Sequence, residues 1–464
     1  MKKFDFIIGY EHKNREIESV CLLKYELERR GYKVFVYNIE DRRLKEHKKK
    51  YHAEVLLLPF VYDEVTLYGC ALQAITYNKV INLQWEQAIY KSQEDNADSY
   101  RNPSGICKKV VHLSWGKANV NRLIQVAGMK EKYVKLVGNI TLDFLKNPLS
   151  NYYMSREQVY NQYHIPSDKK VCLFIASFKS ATENEQRIEK LCKVYGEWRR
   201  KHHEIAKKSM MIILEWIKTA LETDPDLFFI YRPHPGEKTY IVDEIQRNND
   251  RFVVIKDLSV KQWILVADKI YTWMSTTVAE VYVAQKSCYI LYPFELPEEA
   301  QERLFDDMKA IIDYDSFYSS LKDKKKSFPI DRKILENYYL VDRNMSYIKV
   351  ADTCEEVLKS EYYNLDKDEL KRVYAMLSDK RITKKIRNFI WQIDCVYKLF
   401  WILIIKFPFK GAYFDKKRQQ KVQDETWKIT EFVSEAEIDK ICCKIRSCLE
   451  KEVCDEKSMC DCSK

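Results

Sequence analysis

Glycine is scarce in this chain, with ten residues in 464. So few glycines exclude a glycine-rich phosphate loop and long flexible linkers as organising features. Proline numbers eleven and histidine eight. The histidines do not fall at metal-ligand spacings; His202 and His203 are adjacent within RRKHHE and are expected to be solvated. No acidic pair of the DxD kind follows an expected strand, so no bound metal is expected. Also missing is an unbroken apolar run of the ~20 residues that a bilayer-spanning helix needs. The N-terminus opens with two lysines and only a short apolar run, MKKFDFIIGY. That reads as a first β-strand, without the longer apolar core and small-residue cleavage site of a secretory signal. A cytoplasmic location follows as the expectation.

Fourteen cysteines fit such a compartment when reduced. Eight are scattered through apolar or helical contexts. The other six, Cys442, Cys443, Cys448, Cys454, Cys460 and Cys462, crowd the tail without a paired CxxC spacing or a nearby histidine. A frayed, cysteine-rich tail is expected there. The formal net charge of +10 is local: eleven Lys or Arg and two Asp between Arg381 and Lys421 carry +9 of it. The remainder is close to neutral, so a distributed basic groove is absent and nucleic acid is not an expected partner.

What the chain does have is alternation. Short apolar runs (FDFIIGY, KVFVYNI, AEVLLLPF, KVINLQW, KVVHLSWG) alternate with amphipathic stretches through residue 145, one of them placed near EVTLYGCALQAITYN. Nearly continuous apolar strands between helices indicate a parallel sheet covered on both faces. A tyrosine-rich connection, 146–168, precedes a second series over 169–335 containing KVCLFIASF, LFFIYRPHP, RFVVIKD, VADKIYTW and SCYILYPF. The expected fold class is α/β, with two doubly wound Rossmann-like domains facing a cleft and a helical extension over 336–464. Within that extension, 381–421 combines Trp391, Phe400 and Trp401 with flanking lysines, the composition of a helix lying on an anionic membrane surface.

Three strand ends in the second half carry polar groups. ASFKSAT offers Ser177, Lys179 and Ser180. YRPHPGE brackets His234 with two prolines, which fix φ and make a rigid turn beside Arg232. WMSTTVAE places Ser275, Thr276 and Thr277 where a helix is expected to open. Hydroxyls, an imidazole and free amides at one sheet edge suit a phosphate or similar anion.

YRPHPGE together with STTVAE resembles the HP and Ser/Thr motifs of bacterial GT-B glycosyltransferases that use CMP-activated acidic sugars, sialyltransferases and Kdo transferases among them. GYEHKNREIESVCLLKYELERRGYKVFV, LSWGKANVNRLI and VGNITLDFL are similar to segments of bacterial surface carbohydrate biosynthesis proteins, and the resemblance covers about residues 1–355. It implies that His234, Ser275 and Thr276, with Thr277 and Ser177 alongside, hold the donor nucleotide phosphate. Arg232 supports the turn, and Glu280 faces the donor. Arg15 and Glu16 match the family's N-terminal RE, with Glu16 as general base on an acceptor hydroxyl. Glu11 and Glu86 are further cleft candidates, with His12 and Glu18 beside the same stretch. Trp115 and Gly116 are expected to shape the cleft floor.

The function so implied is transfer of an acidic sugar from a CMP donor to a glycan or lipid-linked glycan at the cytoplasmic face of the inner membrane, with no cofactor beyond the donor. Two rivals stay open: a CDP-glycerol or CDP-ribitol polyol-phosphate transferase, and a non-catalytic scaffold docked at the membrane.

Overall fold

The structure is a computed structural model describing residues 1–41, 50–71, 75–342, 344–377 and 431–461. Segment 381–421, expected on the membrane, lies outside the described residues. Among the described residues twelve strands form two sheets in which every pairing is parallel. The first comprises β1 (Lys2–Tyr10), β2 (Val34–Asn38), β3 (Tyr51–Leu58), β4 (Ile75–Asn82), β5 (Val111–Ser114) and β6 (Val134–Leu136). Its order, β2-β1-β3-β4-β5-β6, reverses direction between β1 and β3. The second comprises β7 (Lys170–Ile175), β8 (Leu227–Arg232), β9 (Phe252–Val254), β10 (Lys269–Thr272), β11 (Cys288–Leu291) and β12 (Ala310–Ile311). Its order, β12-β11-β10-β7-β8-β9, is the doubly wound Rossmann order and reverses between β7 and β10.

Parallel neighbours need crossovers, and helices supply them. The helices that matter below are α1 (Lys13–Arg29), α2 (Arg156–Tyr163), α3 (Glu185–Tyr195), α4 (Trp198–Thr223), α5 (Val278–Val283), α6 (Ser346–Lys359), α7 (Lys367–Leu377) and α8 (Glu435–Asp461). The central strands are buried on both faces: Phe6, Ile7, Ile8 and Val55 through Leu58 are fully enclosed, as are Val171 through Phe174. This is why those runs read as continuous rather than alternating. The stretch 146–168 is ordered as a short 3-10 turn and α2, whose Ser155 and Gln158 close a capping box.

Two expectations are corrected, and one strand is added. ITYN belongs to β4, not to the preceding helix, because it continues the register that pairs Ile75 with Tyr51. β12 is a two-residue strand too short to be legible by pattern. The cysteine-rich tail is not frayed where it is described: α8 lies along α1, burying Ile445 and Cys448. Val20, Leu23 and Leu27 of α1 share one cluster with Val350, Ala351 and Cys354 of α6 and with Ile438 and Ile445 of α8. The C-terminal helices thus complete the core of the first half. Among the described residues no helix is long and apolar enough to cross a membrane.

Candidate active site

The second sheet presents its polar loops in one row. Thr272 pairs with Ile175, and Ile175 pairs with Arg232, so β10, β7 and β8 end at the same level. With strands ~4.8 Å apart, the three loops leave the sheet within about 10 Å of one another. The Ser177 hydroxyl bonds the Trp273 carbonyl, tying the β7 loop to the end of β10 at the point where the strand order reverses. Ligands in open α/β sheets bind there.

His234 sits in the turn after β8. Its Nδ1 accepts from the Gly236 amide at 3.0 Å, which leaves the proton on Nε2, and no described residue hydrogen-bonds Nε2. Burial, with Lys179 and Arg15 adding to it, lowers its pKa to about 4, so the ring is neutral near pH 7. A Cβ on Gly236 would meet the Lys179 stem at 3.0 Å, so glycine lets that lysine lie across the turn. Glu237 holds the turn from below. Its carboxylate, 5% exposed, accepts from the Tyr231 hydroxyl at 2.6 Å and from the amides of Phe178 and His234, both at 3.2 Å. Sequence reasoning passed over Glu237, although it lies in the quoted YRPHPGE.

Arg232 is spent on structure: its guanidinium donates to the carbonyls of Asp257 at 2.7 Å, Ile255 at 3.4 Å and Leu258. It buttresses the turn, and burial lowers its pKa to about 10. The hydroxyl turn differs from expectation. The helix starts at Val278, not Ser275, and Met274 takes a left-handed φ of 46° just before the turn. The Ser275 and Thr277 hydroxyls bond each other, and the Ser275 oxygen also accepts from the Thr277 amide at 3.4 Å, while Thr276 is exposed. Glu280, on α5, has its pKa raised by burial, with Lys261 and Arg15 opposing.

The first half contributes the loop after β1. Glu16 is 2% exposed, and its Oε2 accepts from the Glu11 amide at 2.8 Å. Burial raises its pKa to about 7, which puts this carboxyl in the range of a working base. The Glu11 pKa is also raised, by burial first and then by Glu86. Glu86 accepts from Arg15 at 2.9 Å and pairs with Arg101 at 3.0 Å. Burial opposes its charge, yet the two guanidiniums hold its pKa below the ordinary carboxylate value. Glu86 therefore orients Arg15, and Arg101 was not foreseen from sequence. Glu431, just before α8, accepts from the Lys13 amide at 2.8 Å and lies 3.8 Å from His12 Nδ1, raising the His12 pKa.

Arg15 is the charge felt in both halves. Its charge acts on Glu11 and Glu16 in its own half and on His234 and Glu280 in the other. The halves are also pinned beside the cleft: Lys261 meets Glu18 at 3.0 Å, and Tyr153 donates to Glu18 at 2.8 Å. Trp115 and Gly116 do not lie open on a cleft floor. Trp115 is 9% exposed and stacks on Tyr339, while a Cβ on Gly116 would meet the Tyr338 backbone at 2.3 Å. They seat the chain where it crosses back to the first half. His202 and His203 are likewise not solvated: His202 stacks on Trp273, and His203 Nδ1 lies 2.6 Å from the Ser180 carbonyl. Among the described residues no group of three or more His, Cys, Asp or Glu is arranged to hold a metal ion.

Two doubly wound parallel sheets with a cleft at their carboxyl edges define an α/β protein of the GT-B arrangement. No family model matches the chain, and no curated protein matches it. Solved structures do resemble it. The wall teichoic acid polymerase TagF is 13% identical over 76% of this chain and 89% of its own, with a TM-score of 0.48. UDP-GlcNAc 2-epimerase of Methanocaldococcus jannaschii, in complex with UDP-GlcNAc and UDP, is 13% identical over 77% of this chain and 100% of its own, TM-score 0.46. MnaA of S. aureus with UDP is 14% identical over 77% and 97%, TM-score 0.45.

Proposed function

We propose that this chain is a glycosyltransferase of bacterial surface polysaccharide assembly, moving an acidic sugar from a CMP-linked donor to a glycan hydroxyl. The observation that carries the reading is the imidazole of His234, its Nδ1 occupied and its Nε2–H free, at the same cleft as Arg15. Two groups from separate halves then address one phosphate, and Lys179 adds a second cation beside Arg15.

In the proposed reaction the acceptor oxygen bonds to the anomeric carbon while the bond from that carbon to the phosphate oxygen breaks. The acceptor proton passes to Glu16, and the electron pair leaves with CMP. Charge growing on the departing phosphate is met by the His234 Nε2–H, by Arg15 and by the Ser275–Thr277 hydroxyls. Glu86 keeps Arg15 aimed, and Glu237 keeps the His234 turn rigid. These side chains supply the counter-charge themselves, so transfer is expected to persist in EDTA. The acidic-sugar and CMP parts of the reading rest on the resemblance of YRPHPGE and STTVAE.

The test is thermal shift with CMP, CDP and UDP, followed by product analysis with CMP- and CDP-activated donors. CMP is expected to raise the Tm of the wild type and not that of His234→Ala, and His234→Ala is expected to abolish transfer. No shift with any cytidine nucleotide, or a polyol-phosphate product, overturns the assignment.

A further inference from the structure

The helical hairpin α3–α4 is inserted between β7 and β8. Its inner face is conventional: Ile188, Cys192, Ala206, Met210, Ile213 and Ile217 are buried. Its outer face is not. At its tip Val194 is 71% exposed and Tyr195 43%, while Met211 (49%) and Ile212 (38%) lie further along α4, roughly 20 Å from the tip at 1.5 Å per residue. Single exposed apolar residues need no explanation; the adjacent pair Val194 and Tyr195 at the tip stands out by its exposure. Around them Lys190, Lys193, Lys201, Lys207 and Lys208 are all exposed. Between Arg187 and Lys208 there are eight Lys or Arg against three Glu.

We infer that the α3–α4 hairpin is a docking surface for an anionic lipid bilayer, with Val194 and Tyr195 entering the interface and the lysines resting on its headgroups. Apolar side chains at a tip, ringed by long basic ones, match a surface with an apolar interior and negative headgroups. Glu185 and Glu197 pair with Arg200, and the excess of basic charge that remains on the hairpin is what anionic headgroups complement. The hairpin also reaches the cleft. Trp198 packs edge-on against Tyr90 of the first half, and His203 meets the Ser180 carbonyl in the β7 loop. A bilayer held at Val194 would therefore lie beside the mouth of the cleft, where a lipid-linked acceptor would arrive. The surface does not depend on the chemistry proposed above, nor on segment 381–421.

The experiment is flotation of the full-length protein with vesicles of phosphatidylcholine, with and without phosphatidylserine. Hydrogen exchange is followed over residues 187–212 in the same samples. The wild type is expected to float with the anionic vesicles, less so in high salt, with protection gained at the hairpin tip. Val194→Glu with Tyr195→Glu, and separately Lys193→Glu with Lys201→Glu, are expected to lower partitioning at least about tenfold. All four side chains face solvent, so the Tm should not move. Unchanged flotation in both variants, or no protection at 187–212, overturns the inference. So does a finding that the variants lose self-association instead, which would assign the patch to a second copy of the chain.

Discussion

At the scale of single residues, the cleft contains two carboxylates driven in opposite directions. Glu86, between Arg15 and Arg101, is held ionised, while Glu16, buried, has its pKa raised to about 7. Opposed environments of this kind separate the roles of otherwise equivalent groups, one serving as an anchor and the other as a proton acceptor. The consequence for pH has a definite sign. An unfolded glutamate ionises near pH 4.3. Between that pH and about 7 the folded protein holds a proton on Glu16 that the unfolded chain has lost. Above 7 the fold bears a buried charge, so the stability due to the protonated group is lost as pH rises through 7. Glu16→Gln keeps an oxygen for the Glu11 amide and removes the charge. It is expected to raise stability above pH 7 by on the order of 3 kcal/mol while abolishing transfer. Melting curves at pH 5.5 and 8.5 check this: a variant that gains nothing at the higher pH would falsify the burial argument. Wild-type kcat is expected to rise through about pH 7.

At the scale of elements, the turn after β8 shows how stiffness is built with one glycine. Pro233 and Pro235 restrict φ on either side of His234, and Glu237 bolts the turn to Tyr231 and to the β7 loop. Removing one partner from a buried polar network costs the desolvation of the groups left behind, about 1–3 kcal/mol. Glu237→Ala is expected to lower stability by roughly that amount and to weaken nucleotide binding more than Arg187→Ala, an exposed change on α3. Isothermal titration with the nucleotide that shifts the Tm reads the difference. Equal affinity for the two variants would leave Glu237 with a packing role only.

The motif around His234 was legible because proline constrains the chain locally, and a strand ending in RPHP can only turn. The hydroxyl turn was legible as composition but not as geometry. Whether Ser275 or Thr277 precedes the helix depends on Met274 adopting a positive φ, which no side-chain pattern announces. His202 and His203 were misread for a related reason. Two adjacent histidines among lysines look solvated, yet helix α4 turns one towards Trp273 and the other towards Ser180.

At the scale of the whole molecule, the chain closes on itself. After the second sheet it crosses at Tyr339 and Leu340, whose amide donates to the Trp115 carbonyl at 2.7 Å, and returns to cover α1 with α6 and α8. Val433, Ile438 and Ile445 are buried in the core of the first half although they lie more than 400 residues from β1. Each buried aliphatic side chain contributes about 1.5–3 kcal/mol. A chain ending at residue 377 is therefore expected to lose about 5 kcal/mol and to melt at a clearly lower temperature. The loss should fall on the first half, read by hydrogen exchange in β1 to β4 with β7 to β10 unaffected. A uniform loss across both sheets would mean that the halves unfold as one.

The sequence by itself determined the two parallel sheets, because strands buried on both faces must be apolar throughout and helices must separate them. It also determined the rigid histidine turn, which two prolines impose within a few residues. Only the tertiary structure decided that Arg15 and Glu86 pair, that Glu237 and Arg101 belong to the site, and that the C-terminal helices finish the first core. Each of those depends on contacts between residues distant in the chain. Their selection is made by burial and charge in the folded state, and local pattern carries no record of it.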